Sequence, residues 1–241
     1  MTIVLTMTTC KRLALFLVTV RTLLEHCNGC KDIPWIIVDD GSPTDDQKRM
    51  QDATVGLNVT FVWKKDPGHD KSMNLIQSMT QPYEHVFHVE DDWEFFRHFS
   101  LATMQKGLEL DPRVGQVLVN QDYHEGPVDK RTIVGSVPYK GYRLHVWDPQ
   151  HTMCNRGQIS NGHWPHYSLR PGLIRRVTWT FLGPFQEGHR EFEREYGVRF
   201  MQAGFYTIML PGIYCKHIGK LSWQSEEENP SAYTLNDVDR F

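Results

Sequence analysis

The chain has 241 residues, 40% hydrophobic and 23% charged, with a net charge of −3. That length suits one large α/β domain or two small ones, and the composition is ordinary for a globular protein. Lysine and arginine are scattered without a basic run or helix-borne stripe, which argues against a nucleic-acid surface.

TIVLTM (2–7) reads as a first strand, and Arg12 to Cys27 as a helix with Leu13, Phe16, Leu17, Val20, Leu23 and Leu24 near helical spacing. Gly29 would end it. Within it, LALFLVTV (13–20) is far shorter than the ~20 apolar residues of a membrane span, and Lys11, Arg12 and Arg21 flank it. A strand precedes this run and no small-residue cleavage site follows, so it does not read as a signal peptide. The expectation is a cytoplasmic protein without a transmembrane segment, with peripheral membrane association left open. The five cysteines, Cys10, Cys27, Cys30, Cys154 and Cys215, are odd in number and scattered, which fits a reducing compartment. Cys27-Asn-Gly-Cys30 has metal or redox spacing, but no second ligand pair follows for a structural zinc. A turn carrying two free thiols is expected there.

WIIV (35–38) is a second strand ending in Asp39-Asp40-Gly41-Ser42, and Pro43 to Thr54 a polar helix. LNVTFVW (57–63) alternates as a third strand, and DKSMNLIQSMT (70–80) opens a helix with Asp70 available as its cap. VFHV (86–89) is the fourth strand, residues 100–110 are helical, and GQVLVN (115–120) is another strand. From 121 to about 165 the chain is rich in Gly, Pro, His and Tyr with little periodicity, the mark of a functional loop or lid. KGYRLHVWDP (140–149) is a candidate for closing over a ligand. Order resumes at 171–180, followed by a charged helix over 189–203 ending at Gly204, a strand in FYTIMLP (205–211), and a polar tail after 222. Alternating strands and helices predict a mostly parallel sheet with crossover helices in a single domain.

The chemistry gathers at strand ends. VFHVEDDWEFF (86–96) ends a strand in three consecutive carboxylates, Glu90, Asp91 and Asp92. Three adjacent carboxylates repel unless something positive neutralises them, and the usual partner is Mg²⁺ or Mn²⁺ shared with substrate phosphates. The alternative is a solvated acidic turn. Asp39 and Asp40 end another strand, and in a parallel α/β sheet both groups reach the edge where ligands collect. Thr8, Thr9 and Cys10 reach the same edge. Asp40 could accept a hydrogen bond from a base or ribose, and Lys71 or Lys65 lies between the acid clusters to serve a diphosphate.

TMTTCKR, IIVDDGSP and HVEDDWEFF, in this order and spacing, resemble the nucleotide-binding half of glycosyltransferase family 2. The likeness covers most of residues 2–120 and continues through 168–185 and 190–205. It implies a GT-A fold, Rossmann-like, with a mostly parallel central sheet flanked by helices. It further implies a metal-dependent, inverting transfer from a nucleoside-diphosphate sugar to a hydroxyl of a glycan, lipid or protein. Residues 1–120 would form the donor half, 121–222 the acceptor and base half, and 223–241 the tail. By position, Thr8, Thr9, Cys10, Arg12, Asp39, Asp40, Lys71, Glu90 and Asp91 would hold the donor nucleotide. Asp92, Glu90 and His217 would hold Mn²⁺ or Mg²⁺, with Glu standing where the family has its first Asp. The later acidic motif aligns through Arg199 and Ala203-Gly204, which places Glu193 as the base and Glu195 as the second acid, with Glu191 competing for the base role. On a helix, Glu191 and Glu195 would share a face and Glu193 would point elsewhere. His163, Trp164 and His166 in NGHWPHYSLRP are the acceptor candidates, since aromatic rings stack on sugars and imidazoles bond hydroxyls. Trp93 serves either a sugar or the core.

A sugar-nucleotide pyrophosphorylase or other nucleotidyltransferase is the alternative enzyme, but TTCKRLA lacks the glycine-rich loop expected after the first strand. A degenerate binding module is the non-enzyme alternative, against which both acidic motifs stand.

Overall fold

The computed structural model describes residues 2–121, 126, 136–146, 165–189, 191–219 and 235. The first half alternates as expected: β1 (Ile3–Thr9), α1 (Leu13–His26), β2 (Cys27–Asn28), β3 (Trp35–Asp39), α2 (Thr44–Ala53), β4 (Val59–Trp63), α3 (His69–Met79) and β5 (His85–Glu90). The chain then forms β6 (Trp93–Phe95), β7 (Phe99–Ser100), α4 (Leu101–Glu109) and β8 (Val114–Leu118). The second half holds β9 (Ser136–Tyr139), β10 (Tyr142–His145), β11 (Gly172–Arg175), α5 (Arg176–Leu182), α6 (Phe192–Gln202), β12 (Tyr206–Met209) and β13 (Cys215–His217).

Nine strands make the central sheet, in the order β4-β3-β1-β5-β11-β8-β12-β10-β9. Only β11 and β10 run against the rest. The parallel block β4-β3-β1-β5 brings its strand ends level, with Thr9 beside Asp39 and Thr8 beside Glu90. Alternation along these strands feeds two cores. Leu5, Met7, Ile37, Phe87 and Val89 face the layer of α1, α2 and α4, with Phe16, Leu23, Met50 and Met104. Val4, Ile36, Val38, Val86 and Ile174 face α3, α5 and α6, with Met73, Ile76, Trp179, Tyr196 and Phe200. Burying both faces explains why the strands read as continuous apolar runs.

Three local expectations change. Cys27 and Cys30 are joined by a disulfide, not free, because Gly29 at φ 99° turns the chain and sets their Cα atoms 5.7 Å apart. The cysteine count therefore no longer argues for a reducing compartment. Asp70 does not cap α3, which starts a residue earlier at His69. Its Oδ1 accepts from the Lys71 amide and its Oδ2 from the Gly188 amide. Residues 140–145, read as part of a lid, turn at Lys140-Gly141 from the edge strand β9 into β10. Both turn residues have positive φ, the geometry of a tight hairpin. The rest of that lid candidate, 147–149, lies outside the described residues. Trp93 is a core residue, 2% exposed. No helix among the described residues is long and apolar enough to cross a membrane.

Candidate active site

Two acidic strand tips meet at the C-terminal edge of the parallel block. At the end of β3, Asp39 is fully buried and closes its own turn: Ser42 donates to it from its amide at 2.8 Å and from its hydroxyl. Asp40 is equally committed. Lys64 Nζ pairs with Oδ1 at 2.7 Å, Ser72 Oγ bonds the same oxygen at 3.3 Å, and the Gly68 amide donates to Oδ2 at 2.9 Å. The lysine paired with the β3 acids is therefore Lys64, a residue not singled out in the sequence. Lys71 pairs at the surface with Asp66, 2.8 Å away. Lys64 was legible as the last polar step after an alternating strand, but nothing in one sequence distinguished it from Lys65.

At the end of β5 the three acids are set apart by their neighbours. Asp91 is buried and held on all sides: Thr9 Oγ1 donates at 2.8 Å, the Cys10 amide at 3.3 Å, and Arg12 Nη2 reaches Oδ1. Asp92 is 5% exposed and sits between Arg12 Nη1 at 2.9 Å and His217 Nε2 at 3.2 Å. The solvated acidic turn is thus excluded, and the neutraliser within the chain is Arg12, placed beforehand among the nucleotide contacts. Burial alone would lower the charge on this guanidinium, but Asp91 and Asp92 outweigh it and raise its pKa. Burial opposes ionisation of Asp92 too, yet His217 and Arg12 hold its carboxyl well below the usual range. Burial pushes Asp91 up to about 6 against the pull of Arg12. Burial, then the charges of Asp92 and Glu193, push Glu90 up to about 8.

His217 arrives through a small ribbon in which β13 pairs with β6, placing it opposite Trp93. Ile218 donates its amide to the Asp92 carbonyl at 2.8 Å. A Cβ at Gly219 would lie 2.2 Å from Asp92 Oδ2, so only glycine lets the chain pass. His69, missed in the sequence, opens α3 beside this group, with Nε2 3.5 Å from Thr8 Oγ1 and 3.9 Å from Glu90 Oε1. Its signal was weak: a lone histidine after Pro67-Gly68.

Among the described residues, no three of His, Cys, Asp and Glu converge into a formed metal site. The donors nevertheless suit a hard divalent cation. Asp92 Oδ1 is buried without a hydrogen-bond partner, and Glu90 and the His217 imidazole stand by it in charge and contact.

Solved structures share this architecture. The mannosyltransferase PcManGT from Pyrobaculum calidifontis, in complex with GDP-Man and Mn²⁺, matches with a TM-score of 0.63 at 16% identity, over 90% of this chain and 57% of that one. Residues 1–349 of TarS from S. aureus, in complex with UDP-GlcNAc, give 0.62 at 13% identity, over 92% and 59%. GalNAc-T7 with UDP, GalNAc and Mn²⁺ gives 0.62 at 14% identity, over 98% and 48%. The chain has the GT-A fold. It spans about half to three fifths of the length of these glycosyltransferases. No family model matches the sequence, and no curated protein matches it.

On the GT-A sheet the late acids separate clearly. Glu193 lies in the first turn of α6, where its Oε1 accepts from Ser168 Oγ at 3.0 Å and from the Leu169 amide at 2.8 Å. It is thus on the side of Glu90, whose ionisation it opposes. Glu191 precedes the helix and pairs outward with Arg194 at 3.1 Å. Glu195 forks onto Arg199 at 2.6 and 2.9 Å, and Arg199 in turn caps the Leu182 and Pro184 carbonyls. The shared helical face of Glu191 and Glu195 is the outer one. His166 accepts the Thr207 amide at 3.2 Å, and burial followed by the neighbouring His145 pushes it down to about 3. His163 and Trp164 lie outside the described residues.

Proposed function

We propose that the protein is a metal-dependent, inverting glycosyltransferase that moves a sugar from a nucleoside diphosphate to a hydroxyl acceptor. The observation that carries this reading is the pairing of two carboxylate groups in different states at one sheet edge. Asp92 keeps an unpartnered buried oxygen beside His217, and Glu193 stands across Glu90 with one oxygen anchored.

Residues 1–120 supply the donor half and 121–222 the acceptor and base half, with His163, Trp164 and His166 on the acceptor side. Thr8 and the frame of Asp39 and Asp40 receive the nucleoside, and Lys71 exchanges Asp66 for the diphosphate. Asp92, Glu90 and His217 would hold Mn²⁺ or Mg²⁺, which supplies Lewis-acid stabilisation of the charge developing on the diphosphate. Glu193 takes the proton from the acceptor hydroxyl as its oxygen bonds the anomeric carbon. The bond from that carbon to the phosphate oxygen breaks in the same step, and the nucleoside diphosphate leaves. No covalent sugar–enzyme species is needed with one base on the acceptor face.

Calorimetric titration with UDP, GDP, dTDP and CDP, in Mn²⁺ and in EDTA, tests this. Binding of one nucleotide that EDTA abolishes is expected. A folded protein that binds none of them would point to a degenerate module instead.

A further inference from the structure

Glu193 is anchored through one oxygen only. Oε1 takes both hydrogen bonds, from Ser168 Oγ at 3.0 Å and from the Leu169 amide at 2.8 Å. The direction of the serine hydroxyl is fixed. Arg170 donates to Ser168 Oγ from its amide and from Nη1, each at 3.3 Å. Both are donors only, so the serine proton must go to Glu193. The backbone of Ser168 is clamped in turn by fully buried Gln116 on β8. Gln116 Oε1 accepts the Ser168 amide at 3.1 Å, and its Nε2 donates to the Ser168 carbonyl. Thr207 Oγ1 on β12 lies within reach of the His166 carbonyl and, at 3.4 Å, of Gln116 Oε1, and its single proton is shared between them. Two adjacent strands thus lock the serine, and the serine locks the carboxylate.

We infer that Ser168 is a positioning residue that fixes the rotamer of Glu193, so that Oε2, which takes no hydrogen bond among the described residues, is the oxygen that accepts the acceptor's proton. This rests on Glu193 being the base. It explains why a buried cluster of Gln116, Ser168 and Thr207, costly to bury unless its groups are satisfied, stands behind Glu193.

Donor hydrolysis tests the inference without a known acceptor, because water replaces it. Release of nucleoside diphosphate from UDP-glucose, UDP-GlcNAc, GDP-mannose and dTDP-rhamnose would be followed in Mn²⁺. Ser168→Ala should lower kcat about ten- to a hundredfold while the donor KM stays within about twofold, and Ser168→Thr should restore most of the rate. In a Glu193→Gln background Ser168→Ala should add nothing, since it acts only through that carboxylate. If Ser168→Ala does not fold, Ser168→Cys keeps the volume with a much weaker donor and should show the same loss. A normal rate in the folded variant, or an equal further loss on top of Glu193→Gln, would overturn the positioning role alone. An unaffected Glu193→Gln, or no nucleotide release from any donor by the wild-type protein, would overturn the base assignment beneath it.

Discussion

The tips of β3 and β5 both end in adjacent carboxylates, and as sequence they look alike. In the folded chain they differ in what remains unsatisfied. Asp39 and Asp40 spend all four oxygens on Ser42, Lys64, Ser72 and Gly68. They build the floor of the site. At β5 the chain supplies Arg12 and His217, yet Asp92 Oδ1 stays buried and unpartnered, and Glu90 is held toward its neutral form. A buried oxygen without a partner is costly, and such costs are tolerated where a ligand arrives. Acid content alone therefore does not mark a binding site; the unspent valence does.

The difference breaks hardest at Asp92. Asp92→Asn keeps the shape and the contact with Arg12 but removes the charge. Turnover should fall on the order of a thousandfold, the equivalent of the several kcal/mol that a bound cation contributes. Nucleotide binding in Mn²⁺ should fall with it while the protein stays folded, since Arg12 keeps Asp91 as a charged partner. Wild-type turnover would remove the metal from the scheme. The matching change at the other tip should act on stability as well. Asp40→Asn leaves the mostly enclosed Lys64 ammonium with neutral partners only, among them the Gly68 carbonyl and the Ser72 hydroxyl, and a stability loss of about 3 kcal/mol in denaturant is expected. Unchanged stability would mean that the Lys64–Asp40 pair does not hold the floor of the site.

How much of this was readable follows from which forces act locally. Strand alternation and helix spacing come from periodicity, which made the mostly parallel sheet and the position of both acid clusters legible; the GT-A fold came from the family resemblance. The hairpin at Lys140-Gly141 was missed because its two short strands gain their stability from β12, not from their own pattern. The ion pairs of Arg12 and Lys64 were not legible, for a common reason. Ion pairing across 80 and 24 residues of sequence is a property of the closed fold, and a single sequence carries no mark of it. The separation of Glu193 from Glu191 and Glu195 followed from helical spacing, but which side faced inward was set by Ser168 and Leu169, far off in sequence.

A smaller effect lies beneath the β5 tip. His88 is fully buried two residues before Glu90, with Nδ1 3.0 Å from Thr6 Oγ1, and burial holds its pKa down to about 3. A depressed histidine favours the folded state above its unfolded value of about 6.5, and that contribution is lost as pH falls toward 3. By pH 5 the loss should reach about 2 kcal/mol, growing by about 1.4 kcal/mol for each further unit. His88→Asn, which keeps a polar atom near Nδ1, should flatten this slope in chemical denaturation between pH 7 and 5. An unchanged slope would place the acid sensitivity elsewhere.

The gentlest test concerns Lys71, in the first turn of α3. It is paired with an exposed Asp66, and such pairs contribute about 0–1 kcal/mol because water and salt screen them. That weakness is what allows the lysine to leave Asp66 for a diphosphate, unlike Lys64, which is fastened to Asp40 and Ser72. Lys71→Gln should therefore leave stability within about 0.5 kcal/mol. Affinity for the cognate nucleoside diphosphate should drop several-fold, with a shallower salt dependence than wild type, because one exposed charge no longer takes part. A drop in stability without a change in affinity would tie Lys71 to Asp66 alone and leave the diphosphate to the floor and the β5 tip.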